Sequence, residues 1–314
     1  MLRALALIVA ILTVGAAVAV SRGAFPLLAV AQDSRAAGVQ VPAGGPLPLA
    51  VDPDPDEPPD MDLSAPPIAL APPGGAIVQQ GLVRIPKPKV DLAGQRRVGI
   101  QIGHWQTDDV PKEYGTRIQA QTGTSWAGIT EVDVTTEIAE RMATLLNAQG
   151  IAVDILPTTI PEGYIADVFI ALHCDGDGVG VLSGFKMAHG SRRGPYEDKL
   201  MTTIKDVYAK ATGMDYDAEH VSRNMTGYFA FNWSRYQHAT SPYTPATIIE
   251  LGFLSNDADR YLLVKKPDVI ASALTKGILQ FLDATPRSKI FGEDLLIPQT
   301  PIRQGPIPSP TTPP

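Results

Sequence analysis

The sequence is poor in cysteine and lacks a strongly basic stretch, and both shortages limit what the protein can be. Cys174 is the only cysteine among the 314 residues, so the chain can form no intrachain disulfide and offers no cysteine pair for a metal ion. The formal net charge is −7, and no basic stripe with interleaved aromatic residues is present. This pattern argues against a nucleic-acid partner. No internal repeat is found in the sequence.

The chain begins with a continuous apolar run. Residues 4–20 carry no charge, and small residues recur two positions apart at Ala17 and Ala19 and again at Ala29 and Ala31. We interpret residues 1–31 as a signal peptide or an N-terminal membrane anchor. The alternative is a buried helix of a cytosolic domain, but no matching amphipathic partner surrounds it. The protein is therefore expected outside the cytoplasm, with residues 4–20 as a membrane tether if they are retained.

Two proline-rich segments flank the central part of the chain. Residues 32–95 form the first and residues 284–314 the second. Proline removes a backbone donor and favours extended geometry in the residue before it, so we expect a disordered linker and a disordered tail. Residues 96–283 remain as one domain, long enough to bury a sizeable core.

Strand and helix patterns alternate within residues 96–283. Strands are predicted at residues 98–102, 151–156, 167–172, 184–188 and 247–251, and helices at residues 130–150, 195–211 and 269–282. This alternation predicts an α/β domain with a mostly parallel twisted sheet flanked by helices on both faces. Residues 222–245 have no clear period and are predicted to form a loop or hairpin.

The central predicted strand delivers the first candidate for chemistry. Residues 167–172 are a nearly unbroken apolar run, typical of a strand buried on both faces. His173 follows directly, at the strand end where α/β sheets usually place their reactive groups. Cys174 comes next and is either a packed thiol or a nucleophile.

Other metal-competent side chains occur at comparable positions. His104 follows the first strand and Glu131 opens the first long helix. Together with His173, they form a donor set that suits a catalytic zinc ion. Glu250 ends the last predicted strand, where a carboxylate is either a functional group or half of a structural ion pair with an arginine. The spacing of these residues does not by itself decide between a metal site and separate structural roles.

Four sequence blocks carry a resemblance to a known family. They are Val98–His104, Thr130–Val134, Ala166–Asp175 and Ala246–Asp257. In this order they resemble the zinc-dependent N-acetylmuramoyl-L-alanine amidases of the type 3 family, and the resemblance covers residues 96–283. It implies an enzyme that cleaves the amide bond between N-acetylmuramic acid and L-alanine in bacterial peptidoglycan.

The resemblance also implies roles for single residues. One zinc ion would be held by His104, Glu131 and His173 and would activate a water molecule. Glu250 would take the proton of this water and then pass it to the departing amine. Peptidoglycan, or a muramoyl-peptide derived from it, is the implied substrate and binding partner.

The sequence departs from the family in the turn around the first histidine. The family usually reads Asp-Pro-Gly-His-Gly-Gly there, whereas this chain has Gln101 and, after His104, the bulky pair Trp105 and Gln106. The segment from His104 to Glu131 is also longer than usual. Aromatic and polar residues near the predicted site are candidates for substrate binding. For Trp105 and Trp126 the alternative is core or loop packing, and for Arg117, Arg223, Asn224 and Arg235 it is solvated loop charge.

Three other functions are compatible with the pattern. The first is a non-catalytic or activator-dependent wall-binding domain of the same fold, with Trp105 at the mouth of the site. The second is a zinc peptidase that cuts within the stem peptide. The third is a cysteine hydrolase that uses Cys174 with a histidine, although no oxyanion motif supports it.

Overall fold

The structure is a computed structural model and describes residues 77–79, 82–190 and 194–298. The predicted signal peptide or anchor and most of both proline-rich segments lie outside these residues. Within the described part, no helix is both long and apolar enough to span a membrane.

The described residues form ten strands and seven α-helices. The strands are β1 (Ile77–Gln79), β2 (Leu82–Ile85), β3 (Arg97–Ile102), β4 (Ser125–Trp126), β5 (Ile129–Thr130), β6 (Ala152–Leu156), β7 (Val168–Asp175), β8 (Lys186–Ala188), β9 (Ala246–Phe253) and β10 (Leu295–Pro298). The helices are α1 (Gly115–Ala120), α2 (Glu131–Asn147), α3 (Glu197–Thr212), α4 (Arg223–Thr226), α5 (Asp257–Lys265), α6 (Pro267–Asp283) and α7 (Arg287–Phe291). Short 3₁₀ helices occur at Thr107–Asp109, Lys112–Tyr114 and Phe229–Phe231.

A five-stranded sheet with the order β6-β3-β7-β9-β8 forms the centre of the domain. All its pairings are parallel except that of β8, which runs antiparallel to β9 at one edge. The predicted α/β class and mostly parallel sheet are therefore confirmed. Because the carboxyl ends of β3, β7 and β9 meet at one edge of the sheet, residues that follow these strands come close together.

One face of the sheet is covered by the long helices. Val168, Ile170, Leu172 and Cys174 of β7 lie on this face, in the same hydrophobic cluster as buried residues of α2, α3 and α6. Strand side chains alternate between the two faces, so the intervening residues of β7 point the other way. This separation places Cys174 and His173 on opposite sides of the sheet.

The other face is covered by short helices and connecting segments. Phe169 and Ala171 of β7 pack there against Tyr114, Tyr164 and Phe229. The segment at residues 222–245, predicted as a loop or hairpin, contributes α4 and a 3₁₀ helix and belongs to this cover. His173 shares this face, so the layer of aromatic loops forms one wall of its surroundings.

The ordered structure extends beyond residues 96–283. β2 pairs with both β1 and β10 in a separate three-stranded sheet that joins the two flanking segments. The Tyr243 hydroxyl donates to the Ile85 carbonyl at 2.8 Å and accepts from the Leu295 N–H at 2.9 Å, which holds this sheet against the domain. Here the structure differs from the expected disordered linker and tail, because residues 77–85 contain no proline and include four β-branched residues, Ile77, Val78, Val83 and Ile85, which favour strands.

Candidate active site

Three predicted side chains meet at the carboxyl edge of the central sheet. The ligand atoms of His104, Glu131 and His173 all lie within 4.8 Å of one another. Glu131 Oε1 is 3.0 Å from His173 Nδ1, and Glu131 Oε2 is 3.8 Å from His104 Nε2. The Glu131 side chain is fully buried, and each histidine side chain is 8 % exposed. The carboxylate therefore lies between two imidazole rings, largely shielded from water.

Local structure explains how Glu131 reaches this position. Thr130 caps α2, and its hydroxyl accepts the Asp133 N–H at 3.2 Å. Glu131 is the first helical residue, and its carboxylate accepts the backbone N–H groups of Thr124 and Cys174 at 2.9 and 3.0 Å. The cap thus aims the side chain at the end of β7, and two further N–H donors hold it there.

His104 occupies the turn after β3 in an unusual backbone conformation. Its φ angle is 59°, in the left-handed region that residues other than glycine rarely adopt. Gln106, two residues later, has a φ of 58°. Gln106 stands where the turn of the resembled family has glycine, the residue that adopts this conformation without strain. Strain of this kind is concentrated at functional sites, where the surrounding structure enforces it.

Two glycines make room for the cluster. A Cβ atom added at Gly103 would lie 2.4 Å from the His173 ring, and one added at Gly123 would lie 2.8 Å from Glu131 Oε2. Both distances are impossible contacts, so β3 and the segment before β4 approach the cluster in a way that only glycine permits. Together with two imidazoles and one carboxylate, this tight enclosure fits a bound zinc ion.

The electrostatic surroundings favour the ionised form of Glu131. Burial alone would raise the pKa of this carboxyl group. The charges and hydrogen bonds of His104 and His173, together with the Thr124 N–H, outweigh burial and hold the pKa below its ordinary value. An ionised carboxylate is the form that can bind a metal cation.

Glu250 lies beside the cluster in the sheet register. It pairs with His173 across β7 and β9 and with Lys186 across β9 and β8, so the three side chains form a row on one face. A bulge interrupts the β7–β9 pairing between His173 and Asp175, directly after Glu250. Bulges are frequent next to active sites because they redirect side chains.

The row continues into a buried ion pair. Lys186 Nζ is 2.8 Å from Asp175 Oδ2, and the two side chains are 6 % and 10 % exposed. Neither residue is among the site residues predicted from the sequence. A lysine within the short apolar strand at residues 184–188 was the available signal, because a buried lysine is rare unless it is paired.

The outer nitrogen of His173 has its own partners. Its Nε2 lies 3.0 Å from the Tyr228 hydroxyl, which donates to Gln101 Oε1 at 2.9 Å. Gln101 is fully buried and its amide nitrogen donates to the Thr158 carbonyl at 2.8 Å. Gln101 was noted only as a departure from the family turn, and no sequence signal connects it with Tyr228, because the two are 127 positions apart.

The environment of Cys174 contradicts a role as nucleophile. Its side chain is 2 % exposed and lies in the helix-covered cluster, on the opposite face from His173. Burial, followed by the nearby carboxylates of Glu131 and Glu250, raises the pKa of the thiol well above its ordinary value. A thiol that is neutral and sealed from solvent cannot act as a hydrolytic nucleophile.

The predicted substrate-binding residues have different surroundings. Trp105 and Trp126 are half-buried and pack against the main hydrophobic cluster. Arg223 is exposed at the start of α4, with the half-buried Asn224 beside it. The guanidinium group of Arg235 lies 5.4 Å from the centre of the Tyr236 ring.

One further candidate falls on a side chain that the structure does not describe. Arg117 belongs to α1, but its side chain lies outside the described residues. None of the six candidates lies within the His104, Glu131 and His173 group, and their binding roles stay predictions.

The fold and the cluster together define a class of protein. A mostly parallel α/β sheet with two histidines and a glutamate at its carboxyl edge is typical of hydrolases that bind a catalytic metal ion. Residues 98–280 match the sequence pattern of a family described as N-acetylmuramoyl-L-alanine amidase. This match spans more than half of the chain, so the protein belongs to that family and is an enzyme of the amidase class.

Solved structures of amidases are similar to the domain at low sequence identity. The N-acetylmuramyl-L-alanine amidase Ami1 from Mycobacterium smegmatis is 18 % identical with a TM-score of 0.45, and the match covers 62 % of this chain and 100 % of that one. An N-acetylmuramoyl-L-alanine amidase from Clostridium difficile 630 is 18 % identical with a TM-score of 0.43, covering 60 % and 98 %. No curated protein matches the chain.

Proposed function

We propose that this protein is an exported zinc hydrolase that cleaves the amide bond between N-acetylmuramic acid and L-alanine in peptidoglycan. The observation that carries the proposal is the buried group of His104, Glu131 and His173 with Glu250 next to it in the sheet register. Family membership supports the substrate, and the apolar run at residues 4–20 supports export.

The three clustered side chains would hold the metal ion. Two imidazole nitrogens and one carboxylate oxygen are the protein ligands of several catalytic zinc sites. When bound, zinc would polarise the scissile carbonyl and lower the pKa of a water molecule. The depressed pKa of Glu131 keeps its carboxylate ready for this ligation at neutral pH.

Glu250 is the proposed proton carrier. Its carboxylate accepts a proton from the attacking water and returns it to the departing nitrogen, because an amide anion is a very poor leaving group. Glu250 lies between His173 and Lys186 in the sheet register, which places its carboxylate next to the proposed metal site. Lys186 forms an ion pair with Asp175, which restrains the lysine side chain beside Glu250. The side chain of a residue in a regular strand is also restrained by both neighbouring strands.

The experiment compares the purified protein with its Glu250→Gln variant. Zinc content is measured by elemental analysis, and the products released from peptidoglycan are identified by mass spectrometry. We expect one zinc ion in both proteins, free L-alanine N-termini from the wild type only, and a fall in activity of roughly 10²- to 10⁴-fold in the variant. Glu140→Gln, at an exposed position of α2, is the matched control and should retain activity.

The other possible outcomes indicate different functions for this protein. Bound zinc without cleavage by the wild type would indicate a wall-binding or activator-dependent domain. Cleavage within the stem peptide would indicate a peptidase. Wild-type cleavage that persists without bound metal, or undiminished activity in Glu250→Gln, would contradict the proposed mechanism.

A further inference from the structure

The hydrogen bonds around His173 have a defined direction. Gln101 contacts the carbonyl oxygens of Thr158 and Pro157 at 2.8 and 3.3 Å. A carbonyl oxygen only accepts hydrogen bonds, so the Gln101 atom that faces both must be the amide nitrogen. The other end of the side chain, Oε1, is then an acceptor. The orientation of the Gln101 amide is therefore determined by its two backbone partners.

The orientation of the Gln101 amide also fixes the donor and the acceptor in the hydrogen bonds of Tyr228 and His173. The Tyr228 hydroxyl lies 2.9 Å from Gln101 Oε1, which has no hydrogen to give, so the hydroxyl must donate. A hydroxyl has one hydrogen, and the Tyr228 oxygen is left to accept. Its neighbour at 3.0 Å is His173 Nε2, which must consequently carry a hydrogen. The other ring nitrogen, Nδ1, lies 3.0 Å from Glu131 Oε1. It can donate a hydrogen to this carboxylate in the metal-free protein or give its lone pair to a bound metal ion.

The ring of His173 is also confined in space. The Gly103 backbone lies so close that a Cβ atom there would be 2.4 to 2.6 Å from three ring atoms. On another side the Tyr228 ring lies edge-on, with 5.4 Å between ring centres and 87° between ring planes. Tyr228 itself packs against Phe229 and Phe231. The imidazole ring is thus held in one orientation by close packing on two sides.

We propose that Gln101 and Tyr228 are positioning residues that keep the hydrogen of His173 on Nε2, so that Nδ1 is the nitrogen that binds the metal ion. This inference rests on the metal site of the proposed function and extends it to residues outside the ligand set. Hydrogen bonds to the second ring nitrogen of a metal-binding histidine commonly select its tautomer and orientation. In this chain the acceptor is a tyrosine oxygen, whose own hydrogen is committed to a buried amide.

The first test reads the tautomer directly. Nitrogen-15 NMR of the full-length protein, with and without added Zn²⁺, reports which nitrogen of each of the five histidines carries hydrogen, and a His173→Gln sample assigns the signals. We expect hydrogen on Nε2 of His173 in both samples and, in the zinc-loaded protein, no hydrogen on Nδ1, because that nitrogen binds the zinc. Hydrogen on Nδ1 together with zinc on Nε2 would overturn the inference.

Two variants separate positioning from general damage. Tyr228→Phe keeps the ring packing and removes the acceptor, and we expect zinc to bind roughly tenfold more weakly. Gln101→Leu removes the amide oxygen to which the hydroxyl donates, so Tyr228 can donate to Nε2 instead and the preference for hydrogen on Nε2 should weaken or reverse. Zinc dissociation constants and the NMR pattern are both recorded.

A matched control and the wild type keep the outcomes distinct. Tyr164→Phe removes another largely buried tyrosine hydroxyl, which donates to Asp154 at 2.7 Å, and it should leave zinc affinity unchanged. If the wild type binds zinc and both site variants bind it equally well with an unchanged tautomer, the positioning role is wrong while the proposed function stands. If the wild type binds no zinc, the proposed function fails, and the presence or absence of hydrogen on Nε2 in the metal-free protein still tests the hydrogen-bond assignment.

Discussion

The two ends of the central sheet both bury carboxylates, but they give them different partners. At the amino end, Asp167 precedes β7 and lies 2.9 Å from the guanidinium group of Arg287, while its other oxygen accepts the Arg97 N–H at 2.8 Å. At the carboxyl end, Glu131 lies between His104 and His173. Both carboxylate side chains are fully buried.

The partner decides what each carboxylate can do. A guanidinium group keeps its protons at all physiological pH values and has no lone pair for a metal ion. The Asp167–Arg287 pair is therefore a structural element only. Imidazole can lose a proton and bind a metal ion, so the same kind of burial around Glu131 suits the proposed metal site. Both ends of the sheet contain a buried carboxylate, so burial does not distinguish them. The difference lies in the side chains that contact each carboxylate.

The sharpest test of this contrast is Glu131→Gln at the carboxyl end. The amide cannot replace the carboxylate as a metal ligand, and loss of metal catalysis removes several kcal/mol of transition-state stabilisation. We expect activity to fall on the order of 10³-fold and bound zinc to be lost. Elemental analysis and peptidoglycan cleavage are measured together. Retention of both would show that the two ends do not differ as described.

The corresponding change at the amino end is Arg287→Met. It leaves the Asp167 carboxylate buried without its cation, which typically costs about 3–5 kcal/mol of stability. Urea unfolding measures the loss, and the activity per folded molecule should not change. Arg97→Met is the control, because its pair with Asp154 is partly exposed and solvent screening limits its worth to roughly 0–1 kcal/mol. Loss of activity without loss of stability in Arg287→Met would overturn the structural role.

Asp177 tests whether every acid near the carboxyl end is reactive. Its carboxylate accepts four consecutive backbone N–H groups, at residues 179–182, over 2.6–3.2 Å. Burial alone would raise its pKa, but these donors and the Ser255 side chain hold it well below the ordinary value. Asp177→Ala should therefore lower stability by roughly 1–2 kcal/mol near neutral pH and leave catalysis intact.

The sign of its pH dependence follows from the depressed pKa. A carboxyl group with a lower pKa in the folded state stabilises the fold above its unfolded pKa of about 3.9. This contribution is lost as the pH falls through the folded pKa. Unfolding curves of wild type and Asp177→Ala should differ at pH 7 and converge under strongly acidic conditions. Constant separation between the two curves down to the lowest pH would contradict this assignment.

The smallest effect is expected in the turn after β3. Gln106 is exposed and holds a φ of 58°, a conformation that costs a residue with a side chain about 1–2 kcal/mol. Gln106→Gly relieves this cost but adds freedom to the unfolded chain, so we expect a net gain of a few tenths to about 1 kcal/mol. Thermal unfolding of the variant measures it. A destabilised variant would show that Gln106 makes contacts that outweigh the strain.

Much of the central sheet could be predicted from local pattern. The bounds of β3, β6 and β9 lie within two residues of their predicted positions and those of β7 within three, because buried parallel strands are short apolar runs bounded by polar turns. α5, the hairpin of β4 and β5, and the three-stranded sheet were missed. These elements are short, and β10 is ordered by contacts with a segment more than 200 positions away in the chain.

The amino-acid sequence alone determined the fold class and the approximate positions of the main strands, because both depend on apolar periodicity along the chain. Its motifs also supplied the four residues that we propose for the centre. Only the tertiary structure decided which face His173 and Cys174 occupy, that Lys186 and Asp175 lie beside Glu250, and that Gln101 reaches His173 through Tyr228. These facts depend on strand register and on contacts between distant segments. Strand register and contacts between distant segments cannot be predicted from local sequence, because the packing of the whole domain determines them.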